Sequence, residues 1–203
     1  MTGDKALDEW KEANQEQVWT KETIPMIETD WAKKPKQTLK HIIAASFIKG
    51  DSVLDVGCGT GDLITALELV NYNGAYLGID QSNEMLKRAQ QKHPKHHFIE
   101  GNLYGLQHIA KADTIVGLDV LHHQKDIEPG FSNLLSMAKK RLIVTLWINN
   151  RDAEHPKQRR GRFGEFITYY TEEELKERFQ NLEHQVIKEI GCQWKDMYIF
   201  EAP

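Results

Sequence analysis

The sequence has few cysteines, no long apolar run and no strong excess of one charge. Its 203 residues contain 2 cysteines, Cys58 and Cys192, which build no disulfide framework and indicate a reducing compartment. No segment approaches the roughly 20 apolar residues of a membrane-spanning helix, and the first residues lack an apolar signal segment. A formal net charge of −4 gives no general attraction to nucleic-acid backbones. We therefore expect a soluble cytoplasmic protein without a membrane partner.

A short apolar strand followed by a glycine turn is the most informative stretch of the chain. The strand Val53–Val56 contains Asp55, and Gly57, Gly59 and Gly61 follow it before a helical pattern begins. Glycine lets backbone N–H groups approach a ligand closely. The spacing G-x-G-x-G is one residue shorter than the dinucleotide fingerprint, and a carboxylate just before the turn disfavours a pyrophosphate. The pattern predicts a nucleotide-like ligand that carries a cationic amine.

The segment Asp55–Gly61, DVGCGTG, resembles motif I of the class I S-adenosylmethionine-dependent methyltransferases. The resemblance implies S-adenosylmethionine as cofactor, S-adenosylhomocysteine as product, and in-line transfer of a methyl group. It also implies an α/β fold with a doubly wound seven-stranded sheet in the order 3-2-1-4-5-7-6, strand 7 antiparallel, and helices on both faces. We place this domain at residues 37–203, and within it we predict a helix at 126–140 and one long connection at 149–167.

The cofactor-binding residues are predicted from the ends of the first four strands. Asp80 ends the second strand, where its carboxylate can accept hydrogen bonds from two ribose hydroxyls; it could instead stabilise the N-terminus of the next helix by about 0.5 kcal/mol. Asn102 stands where the family usually has aspartate, so its oxygen would form a weaker, neutral bond to the adenine amino group. The predicted cofactor contacts are Asp55, Gly57, Cys58, Gly59, Asp80, Gln81, Met85, Asn102, Leu103 and Leu118.

Two histidines, His122 and His123, follow the fourth strand, where the resemblance places the transferable methyl group. Histidine has a pKa near working pH, so either residue could accept a proton from the acceptor as general base, or could only shape the pocket wall. We predict both as catalytic candidates, with His123 first. Another histidine-rich segment, residues 93–97, has no cysteine or carboxylate nearby; we predict a solvated loop and no metal site.

The substrate side is predicted from aromatic and basic residues. Residues 1–36 contain Trp10, Trp19 and Trp31 and form either a helical arm packed on the body or a lid over the site. The connection 149–167 is rich in cations that could bind a carboxylate or phosphate, or could form a solvated loop. The predicted substrate contacts are Trp31, Trp147, Arg160, Tyr169 and Tyr170.

These features together favour methyl transfer to an oxygen or nitrogen nucleophile of a small molecule. The alternatives are an RNA or protein methyltransferase, with the basic connection as the contact, and a regulatory protein that binds S-adenosylmethionine without turnover. Nucleic acid is a less favoured partner, because the Asn/Asp-Pro-Pro-aromatic signature for exocyclic amines is absent after the fourth strand, which ends in Leu118-Asp119-Val120-Leu121. The sequence predicts no oligomeric state.

Overall fold

The computed structural model describes residues 18–32, 35–149, 157–161, 164–190 and 195–203. Its helices are α1 Ile24–Ala32, α2 Pro35–Ser46, α3 Asp62–Leu69, α4 Asn83–Lys92, α5 Glu128–Met137 and α6 Glu172–Phe179. Its strands are β1 Ser52–Val56, β2 Ala75–Asp80, β3 His97–Glu100, β4 Ala112–Gly117, β5 Ala138–Trp147, β6 Gln158–Arg160, β7 Phe166–Thr168, β8 His184–Ile187 and β9 Lys195–Glu201. Within these residues, no helix is long and apolar enough to cross a membrane.

Seven of the described strands form one sheet in the order β3-β2-β1-β4-β5-β9-β8. The first five of these pair in parallel, whereas β9 is antiparallel to both β5 and β8. With β8 and β9 as the sixth and seventh strands, this is the predicted order 3-2-1-4-5-7-6, and the prediction is confirmed. The carboxyl ends of the parallel strands meet at one edge, where open α/β sheets bind their ligands.

The sheet carries a hydrophobic cluster on each face, because neighbouring strand residues point to opposite sides. Val53 and Ile143 pack with residues of α2 and α3 on one face. Leu54 and Leu142 pack with residues of α5 and α6 on the other. The central strands are buried on both sides, which explains their continuous apolar sequences.

Two local predictions are wrong. The predicted helix 126–140 ends at Met137, because Ala138 adopts an extended conformation and pairs with Ala112 of β4. Lys139, Lys140 and Arg141 suit a helix by propensity, but the sheet ladder overrides that preference. The predicted connection 149–167 is also not a plain loop, since β6 pairs with β7 in an antiparallel hairpin. The boundary at residues 36 and 37 stays a prediction, and α2 begins beside it at Pro35.

Candidate functional site

A cavity of about 420 Å³ opens at the carboxyl edge of the sheet. Its walls come from the segments that follow β1, β2, β3 and β4 and from the end of β5. The hairpin β6–β7 and Trp19 of the N-terminal segment line it as well. Trp19 is fixed to the body, because its carbonyl accepts a hydrogen bond from Ser82 Oγ at 2.9 Å. Part of the N-terminal segment therefore packs on the body and borders the cavity, and its role as an arm or a lid stays a prediction.

The turn after β1 needs its glycines for conformation. Gly57, Gly59 and Gly61 have φ angles of 74°, 54° and 80°, in the left-handed region that side chains disfavour. The N–H groups of Gly57 and Cys58 both donate to the carbonyl of Ile79, at 2.7 and 2.9 Å, which ties the turn to β2. A Cβ on Gly59 would meet no atom within 4 Å, so this glycine borders open space.

Asp80 connects the turn to the start of α4. Its Oδ2 accepts a hydrogen bond from the Gly59 N–H at 2.9 Å, and its Oδ1 accepts one from the Ser82 N–H at 2.8 Å. Burial raises the pKa of Asp80, and these backbone hydrogen bonds oppose that rise. Each oxygen keeps a further lone pair for a ligand, because a carboxylate offers about four acceptor positions.

Nine of the ten predicted cofactor contacts line the cavity: Gly57, Cys58, Gly59, Asp80, Gln81, Met85, Asn102, Leu103 and Leu118. Asp55 does not line it. It is buried in β1, where its carboxylate accepts a hydrogen bond from the Tyr76 hydroxyl at 2.8 Å. Burial raises the pKa of Asp55 to about 7. A direct contact between Asp55 and the amine of a ligand is therefore not supported.

The side chain of Asn102 also differs from the prediction. Its Oδ1, expected to meet the adenine amino group, accepts hydrogen bonds from the N–H groups of Tyr104 at 2.9 Å and Gly105 at 3.1 Å. The oxygen thus stabilises its own turn. Asparagine favours such local side-chain to backbone bonds, which a family pattern alone does not predict.

His123 has a defined hydrogen-bond geometry. Its Nδ1 lies 2.6 Å from the carbonyl oxygen of Phe166 on β7. A carbonyl only accepts, so Nδ1 carries the hydrogen and, in the neutral ring, Nε2 keeps its lone pair. Burial lowers the pKa of His123, which favours that neutral ring. Trp19 packs against it edge to face, with 5.7 Å between ring centres.

His122 has a different environment from its neighbour. Its ring centre lies 4.1 Å from that of His123 and 5.3 Å from that of Trp147. Burial, followed by the charge of His123, lowers the pKa of His122 well below its ordinary value. Within the described part of the chain, its buried Nδ1 has no hydrogen-bond partner. Both histidines line the cavity, but among the contacts of the described residues only His123 has a partner that holds it in one tautomer.

Asp119 forms a charged cluster that the sequence did not reveal. Nζ of Lys40 on α2 lies 2.5 Å from its Oδ2, and Nζ of Lys195 on β9 lies 2.7 Å from its Oδ1. Burial alone would raise the pKa of Asp119, but the charges of Lys195 and Lys40 outweigh it and hold the pKa well below its usual range. The carboxylate stays ionised and joins three segments that lie far apart in sequence.

Of the predicted substrate contacts, Trp147 lines the cavity. Tyr170 lies in the hydrophobic core. Arg160 does not line the cavity; its guanidinium carbon lies 5.6 Å from the ring centre of Phe166. Tyr169 is buried behind Trp147, with 5.6 Å between ring centres. The side chain of Trp31 lies outside the described residues. The pair Tyr169-Tyr170 follows β7, and the bridge from Tyr170 to Ile148 turns its ring into the core.

Metal ligation finds no support in the described ranges, which contain no group of three or more histidine, cysteine, aspartate or glutamate side chains able to hold an ion. The histidine-rich segment 93–97 supplies no such group there.

A family model described as "Methyltransferase domain" matches residues 48–201, and the chain belongs to this family. With its sheet order, the protein is a class I S-adenosylmethionine-dependent methyltransferase, and S-adenosylmethionine is its cofactor. A second model, described as "DNA methylase", matches residues 3–91, which is less than half of the chain.

A curated relative, the ubiquinone biosynthesis O-methyltransferase of Rickettsia bellii, is 27% identical over 101 residues. That match spans 49% of this chain and only 42% of the relative's length. The magnesium protoporphyrin IX methyltransferase of Synechocystis PCC 6803, solved with bound S-adenosylhomocysteine, is 20% identical with a TM-score of 0.61, covering 97% of this chain and 94% of that one. A possible histamine N-methyltransferase of Thermotoga maritima is 15% identical with a TM-score of 0.67, covering 90% and 97%. At these identities the solved structures show the shared fold.

Proposed function

We propose that this enzyme transfers the methyl group of S-adenosylmethionine to an oxygen or nitrogen nucleophile of a small-molecule acceptor. The observation that carries the proposal is the cavity of about 420 Å³, which has the glycine turn on one wall and His123 on another. Its volume lies in the range of roughly 300–1,000 Å³ that is typical of small-molecule sites. The proposal places the protein in the cytoplasm, which agrees with a sequence of 203 residues that has 2 cysteines.

The residues at the glycine turn fit the cofactor. Open space at Gly59 leaves room for a ligand beside the backbone, and the free lone pairs of Asp80 suit two ribose hydroxyls. Gln81, Met85 and Leu103 would border the adenosine. When bound, S-adenosylmethionine supplies an activated methyl group on a sulfonium, so the protein needs mainly to align the two reactants and exclude water.

In this proposal His123 acts as the general base. Its Nε2 accepts the proton of the acceptor's O–H or N–H group as that atom takes up the methyl group. The carbonyl of Phe166 holds the productive tautomer and stabilises the imidazolium that forms, because Nδ1–H then donates to it more strongly. His122, without a fixed partner in the described structure, is the second candidate.

In this proposal the N-terminal segment and the hairpin β6–β7 exclude water from the cavity. Trp19 contributes an apolar ring next to His123, and Ile167 of β7 lines the cavity from the hairpin side. A dry site strengthens the electrostatic and hydrogen-bonding contacts inside it. The hairpin therefore has two roles, as a wall and as the support of the base.

RNA or protein methylation and cofactor binding without turnover are the competing hypotheses. The DNA methylase match stops at residue 91, before β4, so it covers the glycine turn and Asp80 but not the acceptor wall. No feature of the described cavity favours a macromolecular acceptor over a small one.

The deciding experiment uses S-adenosylmethionine that carries a labelled methyl group. The purified protein is incubated with it and a cell extract, and small metabolites, RNA and protein are then separated. Label in the small-metabolite fraction, lost when the His123→Ala variant is used, is the expected result. Label in RNA or protein instead would refute the small-molecule proposal. No label in any fraction, with cofactor still bound, would support a binding protein without turnover.

A further inference from the structure

The described part of the hairpin β6–β7 brings one arginine, Arg159, to the cavity. Arg159 and Arg160 are neighbours on β6, and successive strand residues point to opposite faces. Arg159 lines the cavity, whereas the guanidinium of Arg160 stacks on Phe166 at 5.6 Å. The two arginines thus form a natural pair for comparison, one inside and one outside the site.

Tyr169 holds the Arg159 side chain in place. Arg159 Nε donates a hydrogen bond to the Tyr169 hydroxyl at 2.7 Å, and the guanidinium carbon lies 5.4 Å from the centre of the Tyr169 ring. Tyr169 is itself buried against Trp147. An exposed arginine normally loses much side-chain entropy when it binds a ligand, and this preorganisation lowers that cost.

The outer edge of the Arg159 guanidinium is available for a ligand. Only Nε is used by Tyr169, and in the described ranges the two terminal nitrogens make no hydrogen bond or ion pair. Their N–H groups form the planar fork that matches two oxygens of a carboxylate or phosphate. Such an anion would gain two charge-assisted hydrogen bonds from a side chain that is already oriented.

The same hairpin fixes the distance between Arg159 and His123. Arg159 pairs with Ile167 in the hairpin register, and the adjacent residue Phe166 holds His123 Nδ1. A small molecule bound to both would place its anionic group at Arg159 and its nucleophile at His123. The geometry then selects acceptors whose anionic group and nucleophile lie at different positions on the molecule, so that one reaches Arg159 while the other reaches His123.

We propose that Arg159 is a specificity-determining residue that binds a paired-oxygen anion, a carboxylate or phosphate, on the acceptor at a position distinct from the methylated atom. The proposal rests on the small-molecule function above. The anion is not the group that is methylated, so it keeps its charge in the product.

The test uses the labelled metabolites from the cell extract. They are passed over an anion-exchange column at slightly alkaline pH, before and after treatment with alkaline phosphatase. Retention of the labelled product is expected. Retention that survives phosphatase identifies a carboxylate, and retention that phosphatase abolishes identifies a phosphate. A labelled product that is not retained would overturn the Arg159 proposal and leave the small-molecule function intact, whereas the absence of any labelled metabolite would refute both.

Variants then assign the contact to Arg159. With a dilution series of the same extract as acceptor, Arg159→Gln should raise the apparent KM for acceptor at least tenfold, with less than a threefold change in kcat and in the KM for S-adenosylmethionine. Arg159→Lys should recover only part of this loss, because ammonium keeps the charge but not the fork. Tyr169→Phe should give an intermediate rise in the same KM. Arg160→Gln is the matched control and should behave as wild type. Equal effects of Arg159→Gln and Arg160→Gln, or a loss confined to kcat, would overturn the assignment.

Discussion

The two sides of the cavity are built in different ways. The β1–β2 side, residues 56–59 and 80–85, is held by backbone N–H donors: those of Gly57 and Cys58 bind the Ile79 carbonyl, and that of Gly59 binds the Asp80 carboxylate. The β4–β5 side, residues 118–123 and Trp147, is held by side chains and carbonyls from other parts of the chain. The cofactor side therefore depends on the backbone of one turn and the Asp80 carboxylate, whereas the acceptor side depends on contacts between segments that lie far apart in sequence.

The largest expected effect concerns the β4–β5 side. Asp119→Asn should destabilise the protein by about 3 kcal/mol, because it leaves the ammonium groups of Lys40 and Lys195 buried without the carboxylate between them. Asparagine tolerates the φ of 58° at this position, so the backbone should not add to the loss. The free energy of unfolding is measured by urea denaturation.

An exposed ion pair provides the control for that measurement. Oε1 of Glu84 lies 2.5 Å from Nζ of Lys87 on the surface of α4. Glu84→Gln should change the free energy of unfolding by less than about 0.5 kcal/mol. Equal stabilities of Asp119→Asn and wild type would show that the cluster does not hold this side of the cavity.

The next effect separates catalysis from cofactor binding. His123→Ala should lower kcat about 100-fold, the lower end of what general base catalysis contributes, while S-adenosylhomocysteine affinity stays unchanged. Steady-state kinetics and calorimetry measure the two quantities, and exposed His108 serves as control through His108→Ala. A wild-type kcat in His123→Ala would show that this histidine shapes the pocket wall and is not a general base.

A smaller effect is expected from the glycine turn. Gly59→Ala should weaken S-adenosylhomocysteine binding about tenfold, or about 1.4 kcal/mol, because the added Cβ enters the open space and disfavours the φ of 54°. Gly164→Ala is a matched control, since Gly164 also has a positive φ, 88°, and open space around it but does not line the cavity. If both variants bind equally well in calorimetry, the turn does not form the cofactor site.

The smallest effect is a pH dependence. Burial lowers the pKa of His123 from its ordinary value of 6.5, so the ring is already neutral throughout the range above that pH. Turnover by the wild type should change less than about twofold between pH 6.5 and 8, and should fall only as more acidic pH protonates Nε2. The acid limb should disappear in His123→Ala. A limb centred above pH 6.5 would mean that the environment raises this pKa, contrary to the structure.

The contrast between the two sides also explains what the sequence could predict. The strand order followed from the resemblance that the Asp55–Gly61 motif carries, and Gly59 and Asp80 were placed at the cavity because they follow or end the first two strands. Asp119 could not be assigned a role, because its partners Lys40 and Lys195 come from α2 and β9. Arg160 was predicted instead of Arg159, since only the register of β6 decides which of two adjacent arginines meets the cavity. A local sequence pattern therefore predicted the β1–β2 side of the cavity. The β4–β5 side is formed by tertiary contacts that no local pattern contains.

The most direct test of the account is a calorimetric titration of S-adenosylmethionine into the wild type, Asp80→Ala and Glu100→Ala. Asp80 and Glu100 are register partners on β2 and β3, but only Asp80 lines the cavity. The assignment of Asp80 to the cofactor site predicts one site in the wild type, at least tenfold weaker binding in Asp80→Ala, or about 1.4 kcal/mol, and wild-type affinity in Glu100→Ala. Unchanged affinity in folded Asp80→Ala, or an equal loss in both variants, would contradict it.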